Sequence, residues 1–106
     1  MRELWSYLKS AKKPILIYGM GNGADKVLDR LERDGAAAAR VFASDGFVRG
    51  QSFRGFTVIS YAAAKERFGS FIVLVAFGSG RAEVLETVAR IAAEQEMYVP
   101  DVPAYG

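Results

Sequence analysis

The 106-residue sequence contains no cysteine and no histidine. Without cysteine there is no disulfide, no thiolate nucleophile and no cysteine-based zinc site. Without histidine the chain lacks the usual general base for a serine nucleophile and the commonest metal ligand. Together these absences exclude most hydrolase mechanisms, and we expect neither a catalytic residue nor a metal site within this chain.

A large charge of one sign and a long apolar run are also missing. Lysine and arginine number 14 against 12 acidic residues, a net charge of +2, so no strong field favours a nucleic acid or a membrane surface as partner. No stretch reaches the roughly 18 consecutive apolar residues of a transmembrane helix. Because the first six residues are too polar for a secretory signal peptide, the expected location is the cytoplasm.

The composition is that of an ordinary folded protein. Hydrophobic residues make up 51% of the chain and charged residues 25%, which are fractions typical of globular domains. The length is enough for one hydrophobic core but not for two domains. We therefore predict a single domain over residues 1–106.

Short apolar segments alternate with amphipathic ones along the chain. Ile15–Tyr18 is a run of four apolar residues, as expected for a parallel strand covered on both faces. Helical spacing begins at Ala24, and it recurs at residues 61–68, where Ser60 is a candidate N-cap and Gly69 closes the helix. Further strands are predicted at Arg40–Ala43 and at residues 57–59, 71–77 and 97–99.

The order of these segments indicates the architecture. Strands separated by helices predict a parallel sheet with crossover connections. The expected fold is a three-layer, Rossmann-like α/β sandwich with a short, mostly parallel sheet of four to five strands. Residues 71–77, the most apolar segment, are predicted to form its central strand.

A glycine-rich turn follows the first predicted strand. Gly19, Gly21 and Ala24 have the spacing of the dinucleotide-binding fingerprint and lie between a strand and a helix, where that fingerprint occurs. The first glycine permits the tight turn, the second lets the backbone approach a pyrophosphate, and the small third residue lets the helix pack close to the strand. The candidate ligand-binding residues of this turn are Gly19, Gly21, Asn22, Gly23 and Ala24.

Asp45 follows the second strand, at the position where an acidic residue accepts hydrogen bonds from ribose hydroxyls. Gly19, Gly21 and Gly23 also fit the first motif of enzymes that bind S-adenosylmethionine, which hold ribose with an acidic residue at the same place. NAD, NADP and S-adenosylmethionine therefore remain alternatives. A further alternative is that the glycines only allow a sharp turn and bind nothing.

A second glycine turn, Gly78-Ser79-Gly80-Arg81, follows residues 71–77. If that strand neighbours the first, both turns flank the point where ligands of open α/β sheets bind. Arg81 then either pairs with a phosphate or carboxylate or is solvated in the first turn of a helix. Arg49 and Arg54, beyond Asp45, either favour a 2′-phosphate or a nucleotide-sugar diphosphate or are surface residues.

Two further features have alternative interpretations. Three phenylalanines in residues 47–56 either fold onto the sheet or form an exposed contact patch. Tyr61 and Lys65 have the Tyr-x-x-x-Lys spacing of short-chain dehydrogenases, but they come too early in the chain for that role. We interpret them as a packed tyrosine beside a solvent-facing lysine.

Several segments together resemble one family. Residues 17–26 (IYGMGNGADK), 42–51 (FASDGFVRGQ), 53–56 (FRGF), 75–78 (VAFG) and 99–103 (VPDVP) resemble the region before the catalytic domain in some FkbM-family methyltransferases. More loosely, the glycine turn and the FRGF hairpin are similar to nucleotide-binding lobes of sugar O-acetyltransferases and sugar-nucleotide epimerase-like proteins. The resemblance implies an accessory N-terminal module of a longer protein, with S-adenosylmethionine-dependent methylation of sugars or lipids performed by a downstream domain.

We therefore expect a non-catalytic module that binds a small nucleotide and has a downstream methyltransferase domain as partner. NAD(P), S-adenosylmethionine and a nucleotide-sugar are the candidate ligands, and a homodimer is possible. The alternative is a ligand-free α/β domain that serves interaction or dimerisation through residues 47–56.

Overall fold

A computed structural model of the chain describes residues 4–77 and 82–100, with the backbone alone for Asp45. The described part contains four α-helices, seven strands and one 3₁₀ turn. In chain order these are α1 (Leu4–Ser10), β1 (Ile15–Tyr18), α2 (Asn22–Arg33), β2 (Arg40–Ala43), the 3₁₀ turn (Asp45–Phe47), β3 (Ser52–Phe53), β4 (Phe56–Thr57), β5 (Ile59–Ser60), α3 (Tyr61–Phe68), β6 (Ile72–Val75), α4 (Ala82–Glu94) and β7 (Glu96–Tyr98).

Five strands form a parallel sheet in the order β5-β2-β1-β6-β7. The middle strand is β1, so the prediction that residues 71–77 form the central strand is wrong by one position. Every residue of β1 and of β6 is buried. Apolar character indicates that a strand is covered on both faces, and both β1 and β6 are covered in this way. It does not indicate the order of the strands in the sheet.

Two pairs of helices cover the sheet and confirm the three-layer α/β sandwich. Strand side chains alternate between its faces. On one face, Ile17 and Leu74 pack with Leu8 of α1 and Leu31 of α2. On the other face, Ala64 of α3 and Ile91 of α4 pack against four strand residues, namely Leu16, Tyr18, Phe42 and Val73.

The local signals that predicted α3 are confirmed. The Ser60 side chain accepts a hydrogen bond from the Ala63 amide at 3.1 Å, and Gly69 ends the helix with φ of 72°. A serine oxygen satisfies an amide that the helix itself leaves without a partner. The longest described helix, α4, has 13 residues, and within the described ranges no helix is long and apolar enough to span a membrane.

The segment between β2 and β5 contains an antiparallel hairpin. Ser52 pairs with Thr57 and Phe53 with Phe56, across a turn in which Arg54 and Gly55 both have positive φ (52° and 86°). Two such residues are what a type I′ hairpin turn requires. Phe53 and Phe56 pack against the core on the α2 side, whereas Phe47 is 60% exposed. Two of the three loop phenylalanines are therefore folded onto the domain.

Candidate functional site

The glycine turn lies at the carboxyl end of the middle strand. The strands β1 and β6 are adjacent, with Tyr18 beside Val75. From β1 the chain continues to β2 on one side of this pair, and from β6 it continues to β7 on the other side. In open α/β sheets, ligands bind in the crevice outside the carboxyl ends of two such strands. The condition stated for the two turns, that the strand before Gly78 neighbours β1, is therefore met.

Gly21 lies at an open part of this turn. Its φ of 111° is one that side chains rarely adopt, and a Cβ built on it would meet no atom of the described residues within 4 Å. It precedes α2, whose start has no side-chain cap. Asp25 is the residue whose amide donates to the Gly21 carbonyl, at 2.9 Å. The amides of residues 22–24 come before it, without an acceptor within the helix, at the end where the helix dipole is positive.

Gly23 allows α2 to approach the sheet. A Cβ on Gly23 would lie 2.1 Å from the carbonyl oxygen of Ala76, directly after β6. The sequence interpretation gave this role to Ala24, which is instead fully buried in the core. Because α2 begins at Asn22, Gly23 is its second residue. This residue passes close to the backbone at the end of β6.

Gly19 is covered, in contrast to Gly21. Its amide donates to the carbonyl of Phe42 at 2.9 Å, and its φ is 120°. A Cβ on Gly19 would lie 2.9 Å from Cδ1 of Phe77, whose ring packs edge-on against Tyr18 with 4.9 Å between centroids. The turn therefore presents its second glycine, and not its first, to open space.

A cavity of about 280 Å³ adjoins the turn at the ends of β1 and β2. Aromatic and aliphatic groups form most of its wall, and the exposed ring of Phe47 lies at its edge. The lining residues are Tyr18, Gly19, Met20, Ala43, Ser44, Phe47, Phe77 and Val84.

Tyr18 and Ser44 place two hydroxyl groups at the wall of this cavity. Their oxygens are 2.7 Å apart, and either group can donate. The Tyr18 side chain is only 1% exposed and stacks on Phe42 at 4.7 Å between centroids. Sequence reasoning did not identify this pair as site residues. The available signal was position alone, since each residue lies at the end of a strand beside a candidate turn.

Gln51 connects the loop after β2 to the glycine turn. Its Nε2 donates to the carbonyl of Phe47 at 2.7 Å and contacts the sulfur of Met20 at 3.6 Å. Its Oε1 accepts from the amide of Arg49 at 2.7 Å. Sequence reasoning missed this residue too, because its partners are set by loop folding and not by a spacing pattern.

The structure gives a different use to Arg54 from the phosphate contact considered above. Its guanidinium donates to the Asp29 carboxylate at 2.8 Å and to the Asp25 carbonyl at 3.1 Å. The hydrogen bond to Asp29 raises the pKa of Arg54 above its usual value. Arg54 therefore holds the hairpin on α2, and the surface interpretation of this residue is confirmed.

Tyr61 and Lys65 lie at a groove between α3 and α4. Tyr61 Oη donates to Glu94 at 2.7 Å, and Lys65 Nζ is 3.1 Å from the same carboxylate oxygen. Burial, followed by the bond to Glu94, raises the pKa of Tyr61. A dehydrogenase tyrosine needs a lowered pKa for proton transfer. The rejection of that motif is therefore supported, since Tyr61 packs on Phe42 while the Lys65 side chain is 44% exposed.

The remaining predicted site residues are placed as follows. The backbone of Asp45 lies two residues after the end of β2, at the start of the 3₁₀ turn. Its side chain lies outside the described structure, as do Gly78, Ser79, Gly80 and Arg81. In the described part of the chain, no three acidic side chains are grouped so that they could hold a metal ion.

No protein-family model, curated protein or solved structure matches this chain in the comparisons made.

Proposed function

We propose that this chain is a nucleotide-binding module of Rossmann-like fold with no catalytic residue of its own. The observation that carries the proposal is the open side of the glycine turn. Gly21 faces free space at the uncapped start of α2, at the carboxyl end of a strand where ligands of such sheets bind. A nucleotide phosphate placed there accepts from the amides of residues 22–24.

The cavity beside the turn suits the base. Small-molecule sites are mostly apolar with a few placed polar groups, and here aromatic rings surround the paired hydroxyls of Tyr18 and Ser44. A flat heterocycle packed against Phe77 would leave few polar groups of the cavity without a hydrogen-bond partner. Asp45, at the start of the 3₁₀ turn that follows β2, is the proposed partner of the ribose hydroxyls.

We keep three ligand classes within this proposal, namely NAD or NADP, S-adenosylmethionine, and a nucleotide-sugar. The resemblance to FkbM-family methyltransferases supports a parent protein whose downstream domain methylates a sugar or a lipid, and the polar start of the chain supports a location in the cytoplasm. In that arrangement the present module binds a nucleotide and the neighbouring domain performs the chemistry.

One observation favours a second function, that of a ligand-free docking or dimerisation domain. Phe47 is a large apolar side chain with 60% of its surface exposed, and it would be the central contact of such a docking surface. Because Phe53 and Phe56 are packed on the core, this surface is smaller than the one that the sequence suggested.

A thermal-shift panel tests the proposal on the 106-residue chain, with NAD, NADP, S-adenosylmethionine and UDP-glucose as probes. A ligand at 100 times its Kd stabilises by about 2.7 kcal/mol, which raises the Tm of a domain of this size by roughly 10 °C or more. Gly21→Ala is expected to remove that shift, since its Cβ occupies the phosphate's approach.

The matched control is Gly69→Ala. Gly69 also has a positive φ (72°) and no atom within 4 Å of a built Cβ, but it lies before β6, at the opposite edge of the sheet. Its variant carries similar backbone strain and should keep the ligand shift. Binding unaffected by Gly21→Ala would remove the turn from the site. The absence of any shift at millimolar ligand would favour the docking function.

A further inference from the structure

The groove between α3 and α4 lies on the face of the sheet opposite α2. Its volume is about 670 Å³, and it adjoins the cavity at the glycine turn, since Tyr18, Ala43 and Ser44 line both. The two spaces are therefore neighbours at the carboxyl ends of β1 and β2. The groove is lined by Tyr18, Phe42, Ala43, Ser44, Tyr61, Ala62, Lys65, Thr87, Arg90, Ile91 and Glu94.

Size limits what the first cavity can hold. At about 280 Å³ it lies below the roughly 300–1,000 Å³ of sites that enclose a whole small molecule. It accommodates a base, while the remainder of a ligand anchored at Gly21 must extend elsewhere. The adjoining groove has the space for another ring-sized unit.

The polar groups of the groove fit a hydroxylated unit. Lys65 and Glu94 are paired at 3.1 Å, but their side chains are 44% and 43% exposed, so a ligand hydroxyl can contact both. Arg90 also lines the groove, where its charge interacts with that of Glu94. Sugar hydroxyls donate and accept at once, and they therefore satisfy cationic donors and a carboxylate in the same space.

Other occupants fit this groove less well. An acyl chain or a second apolar ring would leave these charged groups without partners, which costs free energy. A phosphate accepts hydrogen bonds from Lys65 and Arg90 but has no donor for the Glu94 carboxylate, whereas a sugar hydroxyl can donate to it.

We infer that the α3–α4 groove is a glycosyl subsite and that the ligand of this module is a nucleotide sugar. The base fills the cavity at the glycine turn, the diphosphate lies at the start of α2, and the sugar lies between Lys65, Arg90 and Glu94. This inference rests on the proposed function, because it assigns a second part of the same ligand.

Calorimetric titration of the 106-residue chain tests it with two pairs of probes, ADP with ADP-glucose and UDP with UDP-glucose. For at least one base, the sugar nucleotide should bind about tenfold or more tightly than its diphosphate. Arg90→Ala should remove most of that gain and change the Kd of the diphosphate by less than twofold. Arg67→Ala, an arginine of α3 that does not line the groove, should change neither.

The outcomes separate the two claims. Equal affinity for the diphosphate and its sugar nucleotide, or an Arg90→Ala variant that weakens both equally, overturns the glycosyl subsite and leaves nucleotide binding intact. Binding of NAD or S-adenosylmethionine with no binding of either sugar nucleotide does the same. If no nucleotide of any kind binds, the proposed function fails and the subsite with it.

Discussion

Gly23→Ala perturbs the contact that sets how closely α2 approaches the sheet. The added Cβ would lie 2.1 Å from the Ala76 carbonyl oxygen, whereas ordinary van der Waals contact begins at 3.4 Å. A backbone oxygen after a buried strand cannot turn aside as a side chain can, so the helix start and the end of β6 must separate by about 1 Å. Overpacking of this kind costs about 1–3 kcal/mol.

Helix propensity acts in the opposite direction. Alanine is favoured over glycine within a helix by about 0.8–1.0 kcal/mol, so the expected net loss for Gly23→Ala is about 1 kcal/mol. Urea unfolding at neutral pH measures it as a lower midpoint with an unchanged m-value. The Tm should fall by roughly 4–8 °C.

Gly46→Ala is the control for this experiment. Gly46 has no positive φ and no atom within 4 Å of a built Cβ, so its variant should stay within about 0.5 kcal/mol of the parent chain. A Gly23→Ala variant as stable as the parent chain, or more stable, would mean that helix propensity alone determines the effect of the substitution on the free energy of unfolding. The close approach of α2 to Ala76 would then be refuted.

Three further outcomes are expected. Ser60→Ala should lose about 1 kcal/mol in urea unfolding, because the Ala63 amide loses its cap, and an unchanged midpoint would contradict that cap. Hydrogen bonds from Tyr7 and then Tyr98 lower the pKa of Glu96, so its contribution to stability is present above pH 4.5 and is lost as the pH falls through the lowered value. Glu96→Gln should therefore flatten the acid limb of stability against pH, and parallel limbs would argue against the contact. The hydrogen bond with Glu96 raises the pKa of Tyr98 to about 12; absorbance titration of Tyr98→Phe should lack one tyrosine that ionises near that pH, and loss of one that ionises near pH 10 would disprove the assignment.

Local patterns predicted the main elements of the fold. β1 and β2 lie at the predicted residues, and α3 has the predicted cap and end, because apolar runs and capping residues act over a few positions. The order of strands in the sheet depends on contacts between distant segments. For that reason apolar character alone did not distinguish β1 from β6 as the middle strand.

The candidate site was only partly visible in the sequence. The glycine spacing located the turn, but it did not reveal that Phe77 covers Gly19 while Gly21 stays open, since this depends on where the end of β6 lies. The Tyr18–Ser44 pair joins residues 26 positions apart, and Tyr61 with Glu94 joins residues 33 apart. Pairs at such separations follow from the packing of the sheet and have no periodic signal.

The most direct test of nucleotide binding at the open glycine turn is a titration of the ¹⁵N-labelled chain with ADP, and separately with UDP, followed by amide chemical shifts. The account predicts the largest changes at the amides of residues 22–24, with little change at Gly69. Shifts confined to other parts of the chain, or none at saturating nucleotide, would contradict it.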